Sequence, residues 1–116
     1  MKKKKQRLND GFAAVYWEKD NKTDFNADIR AKTLDDLEYV MDMAYEEQFK
    51  REQDYEFAES SGHSLNLKVK MRLYEKISKK NKIVIEDVLY NILKIDYSKS
   101  EKCMYLYLEE ERKIAQ

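Results

Sequence analysis

From Leu65 to Leu73 the chain alternates without a break. Leu65, Leu67, Val69, Met71 and Leu73 share one parity, and Asn66, Lys68, Lys70 and Arg72 share the other. A strand points successive side chains to opposite faces, so this pattern predicts one buried face and a row of three cations opposite it. That row must face water, phosphate or an acidic partner. Upstream, Asn9-Asp10-Gly11 reads as a turn into the apolar, aromatic run Phe12–Trp17, a second predicted strand. Residues 18–36 are polar with little periodicity and read as a long loop, a type of segment that tends to be functional or to order on assembly. Residues 37–49 fit two templates. Leu37, Tyr39, Met41, Met43 and Tyr45 alternate as a strand, while Leu37, Val40, Met41, Ala44 and Tyr45 make a helical stripe; the strand is the favoured reading.

Arg51–Glu59 consists mostly of good helix formers and stops before Ser60-Ser61-Gly62, which predicts one short helix. Beyond Gly62 the pattern becomes regular. The alternating strand is followed by a polar loop, Glu75–Lys82, a short strand over Lys82–Glu86 and a longer one over Val88–Tyr97. A turn at Ser98–Lys102 leads into a last strand, Cys103–Glu111. Short connections between these four strands suggest an antiparallel meander, and apolar residues on both parities suggest strands covered on both faces. The expected fold class is mainly β: a small antiparallel β-barrel with one short helix and long loops. Residues 1–7 form a basic arm, and residues 8–116 a single domain.

Net charge is zero, but it is unevenly distributed. Residues 17–60 carry six basic and fourteen acidic residues, whereas residues 61–102 carry ten and five. An acidic front half and a basic back half suit a chain that meets copies of itself or a charged partner, and fit a general nucleic-acid binder poorly. The opening MKKKK precedes no apolar stretch of signal-peptide length, and no apolar run reaches the ~18 residues of a membrane span. The expected place of synthesis is therefore the cytoplasm of the producing cell.

Candidate chemistry is sparse. The single cysteine, Cys103, and the single histidine, His63, are forty residues apart, and Cys103 reads as a small apolar residue entering a strand. Paired carboxylates occur at Asp35-Asp36, Glu46-Glu47 and Glu109–Glu111, but neighbours on a strand diverge, so solvated faces account for them. No metal-ligand spacing is present, and neither a cofactor nor an enzymatic activity is expected. Lys68, Lys70 and Arg72, with Tyr74 and the tyrosines of the last strands as stacking platforms, could track single-stranded nucleic acid. The favoured reading is that they face solvent, as solubility or edge protection, and a third is that they meet the acidic segment 35–59 of the same or a neighbouring chain. Lys68, Lys70, Arg72, Asp35, Asp36, Glu46 and Glu47 are accordingly candidate interface or channel-facing residues.

Several strings, taken in order, add to this reading. LNDG at Leu8–Gly11, REQDYEFAES at Arg51–Ser60, LNLKVKMRL, KIVIEDVLYNILKIDY and MYLYLEEERKIA resemble the small head closure (head–tail joining) proteins of tailed phages and prophages of Gram-positive bacteria. The resemblance runs from about Leu8 to Ala115 and is densest after Arg51. It implies a non-enzymatic neck protein of the virion, made in the bacterial host cytoplasm. Copies would form a ring between a portal or adaptor protein on the head side and a tail completion or tail terminator protein on the tail side, with non-specific contact to packaged DNA and none to membrane. It also implies a β-barrel with one helix and loops that order on ring assembly, residues 18–36 being the candidate assembly or channel loop. Two other functions stay open: a tail-side completion protein of the same particle, and a small nucleic-acid-binding barrel.

Overall fold

The alternating segment forms a strand, and its neighbours decide how far it runs. A computed structural model describes residues 8–18 and 37–114. In it the ladder spans β3, Leu67–Arg72. Before it come β1 (Gly11–Glu18), β2 (Leu37–Glu47) and a helix, α1 (Glu52–Ser60). After it come β4 (Asn81–Ile85), β5 (Val88–Ser98) and β6 (Cys103–Lys113). Residues 37–47 are strand, as the alternation favoured, because β1 supplies a partner along Leu37–Tyr45. The loop assigned to 18–36 lies outside the described residues except for Glu18, which ends β1.

Six antiparallel strands close into a barrel in the order β1-β2-β3-β6-β5-β4. The expected four-strand meander is corrected here. β3 does not pair with β4; it pairs with β2 and β6, while β4 pairs with β1 and β5. The connection from Leu73 to Lys80 is too long and polar for a tight hairpin. It crosses from one meander, β1-β2-β3, to the other, β4-β5-β6, and Ile77 on it is buried in the barrel core. Closure therefore needs the two N-terminal strands. It leaves β1–β2 across the barrel from β6–β5.

The interior is filled by one parity of each strand: Ala13 and Val15, Met43 and Tyr45, Leu67, Val69 and Met71, Ile83 and Ile85, Ile92, and Met104, Leu106 and Leu108. β5 is apolar on both parities for a structural reason. A register shift between Ile92 and Lys94 lets Ile92 and, beyond it, Ile95 contact the core, and the displaced Leu93 packs under α1 with Ala58, Leu65 and Tyr107. Leu65, expected on the barrel-facing parity, thus belongs to the helix layer, just ahead of the ladder. A third small cluster joins Leu37, Leu89 and Ile114, with Tyr16 and Val84 against it.

The helix stops where Gly62 takes a left-handed φ of +76° and the His63 N–H donates to the Ala58 carbonyl at 2.8 Å. Between β4 and β5, Glu86 and Asp87 both adopt positive φ, the geometry of a two-residue hairpin turn. Among the described residues no helix is long and apolar enough to cross a membrane.

Candidate assembly surfaces

β3 points Lys68 out of the barrel, and α1 lies over that wall. Lys68 is consequently only 7% exposed, and Asp54 of α1, at 4%, is its counter-ion with Nζ 3.0 Å from Oδ2. Asp54 also occupies the third position of the helix. There it accepts the Arg51 backbone N–H at 2.9 Å and the Arg51 guanidinium at 3.1 Å, so one carboxylate both starts the helix and seats it on the sheet. Burial alone would raise the Asp54 pKa. Hydrogen bonds from the Arg51 side chain and backbone and from Lys68 outweigh it and hold the carboxyl at about 2, against an ordinary 3.8.

The lysine is also enclosed by aromatic rings. Its Nζ lies 5.0 Å from the Tyr107 ring centroid and 5.7 Å from that of Tyr105. Lys94 approaches Tyr107 at 5.1 Å and Phe57 at 4.9 Å. The Tyr107 hydroxyl donates to Asp96 Oδ2 at 2.9 Å; burial and that bond both push its pKa up. Burial, with the neighbouring Cys103 thiol, pushes Tyr105 up to about 12. Both phenols are therefore neutral throughout the ordinary pH range.

The depressed Asp54 pKa has a thermodynamic consequence. The group is lower in the folded state than in the unfolded one, so its contribution is complete above about pH 4 and lost as pH falls towards 2. A shift from 3.8 to about 2 corresponds to about 2 kcal/mol. Urea unfolding followed from pH 5 to pH 2 is expected to show this loss in the native chain and not in Asp54→Asn. An equal loss in both would place its origin elsewhere.

Beside this cluster an open groove of about 470 Å³ runs between the β2–α1 connection and the β5–β6 wall, lined by Phe49, Arg51, Asp96, Tyr97, Tyr105 and Tyr107 among others. Phe49 stands at its rim, 95% exposed, and Tyr97 is exposed as well. Across the barrel the β1–β2 ribbon presents a second apolar surface. Phe12 is 70% exposed, and Trp17, Tyr39 and Val40 are exposed too, with Tyr16 and Tyr39 meeting edge to face at 5.6 Å. Val40 is the extra residue of a bulge opposite Val15 and Tyr16. Glu18, Glu38 and Asp42 are exposed on the same ribbon and give it acidic character. Exposed apolar residues that form a continuous patch mark contact surfaces.

The residues singled out by pattern are dispersed. The expected outward row of three cations does not form, because α1 covers Lys68. Lys70 is half-buried, opposite Glu46 on β2 and Tyr105 on β6 in the strand register. Arg72 is exposed opposite Cys103. Glu46 accepts a hydrogen bond from Gln48, and the Glu47 N–H donates to Asp10 at 2.7 Å. Asp35 and Asp36 lie outside the described residues. His63 is tied to Glu109 at 3.1 Å, six residues along β6 from buried Cys103, a separation of roughly 20 Å for a strand. These two side chains do not form a nucleophile–base pair. Asp54, Phe49 and Phe12 escaped the pattern reading. Only Asp54 had a signal, its place three residues after the residue that caps the helix.

Comparison of the chain with protein-family models and with curated protein sequences returns no match.

Proposed function

We propose that this chain is a structural, non-enzymatic subunit of a phage neck, a head closure or head–tail adaptor protein. Copies of it form a homomeric ring between a portal-side and a tail-side protein, sealing the DNA-filled head and offering a docking surface to the tail. The observation that carries the reading is a pair of unlike apolar surfaces on opposite walls of one closed barrel. One is the acidic β1–β2 ribbon with Phe12 and Tyr39; the other is the groove with Phe49, Tyr97 and Arg51. A head-to-tail interface needs two different patches, and repetition of such a contact closes a ring when the rotation permits. The choice of particle rests on the resemblance of the ordered strings to head closure proteins.

The tail-side completion reading uses the same surfaces and differs only in the ring that is bound. Mixing the purified protein with emptied heads and, separately, with isolated tails distinguishes the two by electron microscopy. The nucleic-acid reading rests on Lys70, Arg72 and Tyr74, since Lys68 is committed to Asp54.

Association is expected to weaken as ionic strength rises, because exposed charges facing one another across a subunit contact are screened by salt. Sedimentation velocity at low and high salt reads this directly. An association constant independent of salt would remove charge from the contact.

A further inference from the structure

β2 is covered unequally on its two sides. β1 pairs with Leu37–Tyr45, whereas β3 reaches only Tyr45–Glu47. Among the described residues no strand lies beside Glu38–Ala44 on the side away from β1. Among the described residues, alternate backbone N–H and C=O groups there have no strand to pair with, and Tyr39 hydrogen-bonds Asp42 along the same stretch. The stretch is also open to solvent: Glu38, Tyr39, Val40 and Asp42 are all exposed.

We infer that this edge receives the basic N-terminal segment of a second copy, residues 1–7, as an added strand. The inference rests on the ring reading and specifies its contact. Charge selects the occupant. Glu38 and Asp42 stand on the edge, and Glu18 is beside it on β1. Two such edges would repel if paired with each other, since an antiparallel pairing centred on Val40 sets Glu38 against the partner subunit's Asp42. Residues 1–7 carry five basic residues and no acidic one, the opposite sign to the edge. Added strands take their affinity from main-chain hydrogen bonds and their selectivity from side chains, which suits a lysine-rich segment beside carboxylates.

Geometry selects a different copy rather than the same one. Gly11 lies opposite Tyr45 and Trp17 opposite Glu38. The arm therefore enters β1 at the end far from Glu38, about 20 Å away along the ribbon. To reach its own β2 edge it would have to reverse direction.

Two measurements on the full chain test this. In the first, natural-abundance and ¹⁵N-labelled protein are mixed and treated with a zero-length carbodiimide. Cross-linked peptides joining Lys2–Lys5 to Glu38 or Asp42 should carry mixed isotopes. Links found only within one chain, or only to other carboxylates, overturn the inference.

In the second, one variant reverses the arm (Lys2, Lys3, Lys4 and Lys5→Glu) and another reverses the edge (Glu38→Lys with Asp42→Lys). Each is expected to associate at least about tenfold more weakly than the native chain. Their equimolar mixture should recover the native association, because each then meets a complementary mate. Failure of the mixture to recover refutes strand addition. If both variants still build rings on emptied heads, strand addition is wrong and the ring reading stands. If the native chain builds none, both are wrong.

Discussion

Asp54→Ala is expected to cost about 3–5 kcal/mol of stability, since removing one partner of a buried ion pair leaves the other charge uncompensated. Lys68 cannot escape to water. It is 7% exposed, with the helix above it and the Tyr105 and Tyr107 rings alongside. Aromatic faces attract a cation but do not replace the carboxylate 3.0 Å away. The same substitution removes the acceptor for the Arg51 backbone N–H, so α1 loses its start as well as its seat.

The double variant Asp54→Leu with Lys68→Met separates charge from packing. If desolvation of an unpaired ammonium is the main cost, the pair of changes should restore most of the lost stability, because apolar replacements of buried pairs are often neutral. Urea denaturation of the three proteins is sufficient. A single variant within about 1 kcal/mol of the native chain would mean that Lys68 finds another partner, and the reading of Asp54 as its counter-charge would be abandoned.

Leu106→Ala should cost about 2–5 kcal/mol, the range for removing a large aliphatic side chain from a packed interior. Leu106 is fully buried on β6, with Val69 of β3 on one side and Ile95 of β5 on the other. β6 pairs with β3 and β5 along most of its length, so the site has little freedom to collapse around the cavity. Phe49→Ala provides the contrast. At 95% exposure that ring has almost no packing to lose, and stability should stay within about 0.5 kcal/mol. Chemical denaturation of the two variants compares them directly. A large loss for Phe49→Ala would show that the ring is part of the folded core, which would withdraw the groove as a contact surface.

Strands with unbroken alternation were legible because burial of one face imposes a period of two, as in Leu67–Met71 and Met104–Leu108. The helix was legible from composition and from Gly62 behind it. Pairing was not legible. Sequence proximity favours joining β3 to β4, and only closure of the barrel shows why β3 takes β2 and β6 instead. The register shift in β5 was equally hidden: Leu93 and Ile95 share a parity in the chain but pack in different layers. The candidate surfaces were least accessible of all. Phe49 and Phe12 look like any apolar residue in a sequence, and their meaning comes from exposure, which is a property of the folded chain.

The basic row on β3 marks the division. By itself the sequence determined that Lys68, Lys70 and Arg72 share one parity, because a strand has no other way to place them. It determined as well that an acidic segment precedes them and a basic one contains them. Only the tertiary structure decided that the three positions have three environments. α1 covers the first and supplies Asp54, β2 sets Glu46 opposite the second, and the third stays in solvent. The physical reason is that alternation acts between neighbours along one strand, whereas burial of a charge depends on which element is laid over it.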